Sequence, residues 1–177
     1  MKLWRVSRAA HAASGVATFS GIGGLHVDGR WHSRGRLVVY TARSESLARL
    51  EALGHFNPVL GPKLVLIEAD IPDALVTTFS GTPPKGWNDV PDSGLARSVG
   101  DTWLQGASSV ALEVPSIHAF SESNVLINPA HPDFSQLTIS APVPFAFDQR
   151  LNDPKLRKLW LAKPILPSYA ASALIPP

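Results

Sequence analysis

The sequence predicts an α+β fold assembled from short elements. Two observations carry that reading. Sixteen prolines and 13 glycines spread through 177 residues interrupt the chain too often for a helical bundle. Most apolar runs are also of strand length, roughly four to eight residues, and few stretches carry helical spacing. A chain this long can bury a continuous core without staples, so one main domain is expected.

Residues 2–6, Lys-Leu-Trp-Arg-Val, alternate apolar and basic side chains and read as a first strand, with Arg5 marked as a candidate functional cation. Arg8 to Ala13 is Ala-rich and fits a turn or two of helix. Ser14 to Gly24 is dotted with glycine and reads as a loop; Gly21-Ile22-Gly23-Gly24 lacks the strand, spacing and helix of a dinucleotide fingerprint. Val27 to Phe56 then combines a turn at Asp28-Gly29, a strand at Leu37 to Tyr40 and a helix at Ser44 to Leu53. Lys63 to Ile71 alternates two apolar faces, as a central strand does. Residues 73–79 continue as a strand after Pro72, and the proline- and glycine-rich Gly81 to Gly94 is an exposed loop that would be able to fold over a ligand.

Ser98 to Gly106 has Val99, Trp103 and Leu104 at helical spacing. Val110 to Val114 is a strand that Pro115 stops, leaving Ser116 at a strand end. Asn124 to Asn128 and Gln136 to Ser140 are further strands, separated by the rigid turn Pro129 to Phe134, and Pro142 onward is an edge strand. The segment Leu151 to Pro177 offers a short helix at Lys155 to Ala162 and then alternates proline with apolar residues.

Composition narrows the function. Cysteine is absent, which excludes disulfides and thiolate metal sites and fits a reducing cytoplasm. The six histidines show no ligand spacing, so no metal is expected. No apolar run reaches membrane-spanning length and no signal peptide is evident, so a soluble cytoplasmic protein without membrane contact is expected. The formal charge of +2 leaves no basic stripe for nucleic acid.

The informative acid is Glu51, four residues after Leu47 and therefore along the edge of the apolar stripe Leu47, Leu50 and Leu53. A carboxylate turned toward a core needs a cation, hydrogen-bond donors or a ligand. A structural pairing with Arg30 or Arg49 satisfies that need as well as a catalytic role does. Ser116 fits a turn residue as well as a cleft hydroxyl, and His131 fits a structural hydrogen-bonding residue.

Taken together, Leu3-Trp4-Arg5-Val6, Gly29-Arg30-Trp31 with Gly35, Tyr40, Leu47-Ala48 with Leu50-Glu51, Val114-Pro115-Ser116, and Asn124 to Pro129 with His131 to Phe134 resemble the RES domain family, named for an arginine, a glutamate and a serine. The resemblance covers about residues 1–151, leaving 152–177 as a C-terminal extension of unassigned role. It implies a fold like the ADP-ribosyltransferases, with two small, mainly antiparallel sheets flanked by short helices. It also implies the toxin of a bacterial toxin-antitoxin pair that destroys NAD, with an Xre-type helix-turn-helix antitoxin as partner. Arg30, Tyr40, Glu51 and Ser116 become the catalytic candidates; Arg5, Arg30, Tyr40, Ser116, Asn124 and His131 become the NAD-binding candidates. No cofactor beyond NAD as substrate is implied.

Those residue types suit cleavage of the nicotinamide–ribose bond. Positive charge develops on the sugar as neutral nicotinamide departs, so an anion such as Glu51 belongs beside it. A forked diphosphate suits the planar donors of Arg30 or Arg5. Tyr40 offers a ring and a hydroxyl, and Ser116 reads as a positioning hydrogen-bonder, since no histidine is placed by sequence as its base. Water as acceptor gives a glycohydrolase, phosphate a phosphorylase, and a protein side chain an ADP-ribosyltransferase. A non-catalytic partner- or nucleotide-binding module is the reading from a different class, and a toxin acting on RNA is disfavoured by the near-neutral charge. Trp and Leu residues near the tail would permit a homodimer or an antitoxin contact.

Overall fold

The computed structural model describes residues 1–57, 61–148 and 151. The extension 152–177 and the helix expected at 155–162 lie outside the described residues. Among the described residues there are eight strands: β1 (Lys2–Arg8), β2 (Val39–Ala42), β3 (Leu64–Asp70), β4 (Val76–Thr78), β5 (Ala111–Pro115), β6 (Ser123–Ile127), β7 (Thr138–Ile139) and β8 (Val143–Phe145). Four α-helices accompany them: α1 (Gly15–Thr18), α2 (Gly23–His26), α3 (Glu45–His55) and α4 (Arg97–Gly106). Single turns of 3-10 helix occupy Ala9–His11, Asp73–Leu75 and Pro132–Gln136.

The strands form one sheet in the order β4-β5-β6-β2-β1-β3-β7, with β8 also paired to β3. Pairing is antiparallel except between β4 and β5. The expectation of two separate sheets is thereby corrected, because β2 hydrogen-bonds to both halves and makes the ladder continuous. The join is thin. β1 pairs with β3 along all seven of its residues, and β2 pairs with β6 along all four of its own, but β1 and β2 meet only at Trp4↔Ala42.

Alternation along each strand divides the core. Val125 and Ile127 of β6 join Leu3, Phe19, Val39, Ile67 and Ile71 in one cluster. Leu126, between them, faces the other way against Trp31, Val38, Trp103 and Leu112. Gly100 of α4 lets the helix approach this second cluster, since a Cβ there would lie 1.8 Å from the Trp31 carbonyl oxygen. A third cluster joins Leu47 and Ala48 of α3 to Ala42, Trp4 and Val6 around the thin join.

Local signals explain α3. Ser44 caps it, its Oγ accepting the Leu47 N–H at 3.0 Å. Glu45 sits in the first turn and pairs with Arg49, while His55 sits in the last turn beside the negative end of the helix dipole. The buried face differs from the expected leucine stripe: Leu47, Ala48 and Ala52 are buried and Leu50 is exposed. Small alanines let the helix lie close to the sheet, and this rotation brings Glu51 onto the inward face. Two other expectations shift. The glycine-dotted loop holds the single-turn helix α1 and the start of α2, and β2 starts at Val39 because its register is set by β6, Val39 opposite Ile127 and Ala42 opposite Asn124. Among the described residues, no helix is long and apolar enough to cross a membrane.

Candidate functional site

Glu51 enters a polar cluster built from three parts of the chain. Its Oε1 accepts from Ser116 Oγ at 2.9 Å and from Asn124 Nδ2 at 2.6 Å. Its Oε2 faces His118 Nε2 at 3.5 Å. Ser116 lies just beyond β5 and is buried, and its oxygen accepts the backbone N–H of His118 at 3.0 Å while its hydrogen goes to the acid. One carboxylate oxygen is thus saturated by fixed donors. The other remains the freer of the two.

Where β1 and β2 separate, the Arg5 side chain spans the gap and Nη1 donates to the Tyr40 carbonyl at 2.7 Å. Among the described residues, no carboxylate pairs with this guanidinium, and its Nε is buried without a hydrogen-bond partner. Burial pulls the arginine down to a pKa of about 10, so it keeps its charge at neutral pH. Arg5 thus places a positive charge with no ion-pair partner among the described residues in the wall of the cleft that Glu51 also lines.

The Tyr40 hydroxyl is committed to the scaffold. It accepts the Trp31 N–H at 3.1 Å and lies 2.8 Å from His32 Nδ1. Burial raises the phenol above its ordinary range and lowers the imidazole of His32, so both groups are neutral and share one hydrogen bond. Gly29 makes room for this pair, because a Cβ there would stand 2.5 Å from both the phenol oxygen and the imidazole. What remains of Tyr40 for a ligand is its ring.

Arg30 points to the loop before α4. Nη1 donates to the carbonyl of Trp87, Nη2 donates to that of Asp89 at 3.1 Å, and Nη1 lies 3.4 Å from the Asp92 carboxylate. Asp92 also meets Arg97 Nη2 at 3.1 Å. The Trp87 ring packs on Trp31 at 5.4 Å, which fixes that end of the loop.

Arg5, Arg30, Tyr40, Glu51 and Asn124 all line a single cleft of about 1120 Å³. Small-molecule sites usually span roughly 300–1,000 Å³, so a dinucleotide fits the scale. A smaller recess of about 200 Å³, lined by Trp4, Ala48 and Phe56, extends from the same Arg5, Tyr40, Glu51 and Asn124. His131 is not brought to this site: its Nδ1 accepts the Asp133 N–H at 3.1 Å and caps the turn Pro132–Gln136. Five other histidines line the cleft: His11, His26, His32, His55 and His118. None of these five was a site candidate from the sequence. Only His55, one helical turn after Glu51, and His118, two residues after Ser116, carried a positional signal. Among the described residues, no group of three acidic or histidine side chains is arranged to hold a metal ion.

Comparison with known proteins identifies the family. The RES domain profile matches residues 2–148. "Toxin Res" of Pseudomonas putida is 37% identical over 154 residues, covering 85% of this chain and 99% of that protein. "Toxin Res" of Yersinia enterocolitica is 34% identical over 155 residues, covering 86% and 100%. "Prs ADP-ribosylating toxin" of Sphingobium sp. is 33% identical over 153 residues, covering 84% and 94%. In fold, the chain is similar to a chain of the crystal structure of the M. tuberculosis MbcT-MbcA toxin-antitoxin complex, with a TM-score of 0.63, 16% identity, and coverage of 82% of this chain and 84% of that one. With the profile spanning all eight strands and relatives matched along nearly their whole length, the chain belongs to the RES domain family.

Proposed function

We propose that this protein is the toxin of a bacterial toxin-antitoxin pair and that it cleaves the nicotinamide–ribose bond of NAD, depleting the cytoplasmic pool. The single observation that carries the reading is the position of Glu51: an acid turned inward from α3, held by Ser116 and Asn124, in a cleft of dinucleotide scale with two arginines in its wall. The names of the relatives support the toxin half of the proposal. We take the fold to be of the ADP-ribosyltransferase kind, with the cleft opening where β1 and β2 part.

The ribose sits against the freer Oε2 of Glu51. As the glycosidic bond lengthens, the sugar becomes oxocarbenium-like and the carboxylate, already oriented by two donors, stabilises it without reorganising. Nicotinamide leaves as a neutral molecule and needs no strong acid. The Tyr40 ring provides a face for the nicotinamide. Ser116 and Asn124 act through Glu51, and Ser116 does so as a positioning residue whose hydrogen is already donated. Arg30 and Arg5 supply positive charge for the diphosphate.

Water or phosphate as acceptor makes the enzyme a glycohydrolase or a phosphorylase. Transfer to a protein side chain is the second reading, favoured by the Sphingobium relative whose name is "Prs ADP-ribosylating toxin". An Xre-type antitoxin would block the cleft in the resting complex. The deciding experiment follows nicotinamide release from NAD by the purified antitoxin-free protein, with Glu51→Gln as control. Release without a labelled protein product identifies the glycohydrolase or phosphorylase, label on protein identifies the transferase, and intact NAD with folded protein overturns both.

A further inference from the structure

Arg30 and Arg97 converge on one carboxylate. Asp92 Oδ1 lies 3.4 Å from Arg30 Nη1, and its Oδ2 lies 3.1 Å from Arg97 Nη2. The Gly94 N–H adds a third donor to Oδ1 at 3.1 Å. Two guanidiniums and a backbone amide around a pair of oxygens are the donor set that recognises a phosphoryl group, whose larger charge and third oxygen such a site fits better than a carboxylate. Asp92 and Arg30 both line the cleft, so the carboxylate stands where an entering anion would meet Arg30.

We propose that Arg30 and Arg97 form a phosphoryl-binding pair and that Asp92 fills it in the free protein as an internal anion, which the diphosphate of the substrate displaces. The proposal rests on the reading of this cleft as an NAD site. The chain is built for such an exchange. Arg97 is fixed on α4, with Nε donating to the Gly29 carbonyl at 3.2 Å, so it is tied to the residue preceding Arg30. Trp87 is pinned against Trp31. Asp92 sits on the segment between these two anchors, together with the exposed Val90. Displacing the carboxylate therefore releases the middle of a strap whose ends stay in place, and Arg30 gains a free edge without losing its backbone. A latch that is closed in most molecules weakens apparent affinity by the fraction left open.

The alternative is that Asp92 simply holds Arg30 in position, and the two roles predict opposite signs. Binding of ADP-ribose and of inorganic pyrophosphate to the full chain is measured by calorimetry, with Asp92→Asn and Asp92→Ser as the unlatched variants. Both variants are expected to bind each probe about tenfold more tightly than the wild type. Adding Arg97→Gln to Asp92→Asn is expected to remove that gain. Unchanged or weaker binding in both single variants, with circular dichroism showing them folded, overturns the proposal, as does absence of binding throughout. Binding needs no turnover, which separates the two readings: tighter pyrophosphate binding with NAD left intact would retain the site and reject the enzyme. Cleavage of NAD with unaltered probe affinity would do the reverse.

Discussion

Ser116 and Glu51, 65 positions apart in the chain, meet at 2.9 Å with the hydroxyl donating to the acid and its own oxygen accepting the His118 N–H. That hydrogen-bond direction assigns the serine a role. A hydroxyl whose proton already rests on a carboxylate and whose lone pair is taken by a backbone amide orients the acid.

Ser116→Ala is therefore expected to lower the rate of nicotinamide release about tenfold, the scale of one hydrogen bond to a charged group. Glu51→Gln, which keeps the size but removes the charge that the proposed mechanism sets against the ribose, is expected to lower it about a thousandfold, as electrostatic stabilisation worth several kcal/mol is lost. Release rates from matched amounts of folded protein test this. Equal losses in the two variants would return Ser116 to consideration as a nucleophile.

Asn124 supplies the shorter contact, 2.6 Å from its Nδ2 to Glu51 Oε1. Asn124→Ala removes a donor and is expected to cost about tenfold in turnover. Asn124→Asp instead sets a second carboxylate against the first, and like charges at that distance resist sharing the site. Turnover of the aspartate variant is expected to fall below that of the alanine variant, by about tenfold more. Nicotinamide release at neutral pH decides it, and a more active aspartate variant would mean that the amide is not needed as a donor.

Much of the fold was legible because its signals are local. The strand around Leu64 to Asp70, the Ser44 cap and the placement of Ser116 after a strand-stopping proline can all be read from neighbouring residues. The site was legible only in part. Glu51 announces itself by helical spacing, but its true neighbourhood depends on α3 burying alanines and leaving Leu50 exposed, which is a choice made by the close approach to the sheet. Arg30 meets Trp87, Asp89 and Asp92 some sixty residues further along, and no period in the sequence encodes that meeting. The number of sheets turned on the single pair Trp4↔Ala42. His131 was legible from its neighbours: its place between prolines reads as a structural hydrogen-bonding residue, and it caps the turn Pro132–Gln136, whereas the resemblance had placed it among the NAD-binding candidates.

Gly100 tests the packing of α4 against the sheet. A methyl group there would stand 1.8 Å from the Trp31 carbonyl oxygen, and the obstacle is backbone. Gly100→Ala is expected to destabilise the protein by about 3 kcal/mol, overpacking outweighing the gain of about 1 kcal/mol in helix propensity. Thermal or urea unfolding measures this. A variant as stable as the wild type would mean that α4 can back away from Trp31 freely.

His32 gives the fold a dependence on pH that can be assigned to one side chain. It is buried against Tyr40, and loss of hydration lowers its pKa from 6.5, against the pull of the Asp101 carboxylate, the Val27 carbonyl and Asp28 in the other direction. The unfolded chain therefore takes up a proton near pH 6.5 that the folded chain refuses, and stability declines as the pH drops from there toward the lower folded value. Below that value both states carry the proton and this contribution to the decline ends. The melting temperature should fall between about pH 7 and pH 5 in the wild type. In His32→Gln, which starts less stable because the Tyr40 hydroxyl loses its hydrogen bond to the ring nitrogen, the fall should be shallower. Scanning calorimetry of both proteins across that range tests the assignment, and parallel curves would place the acid sensitivity elsewhere in the molecule.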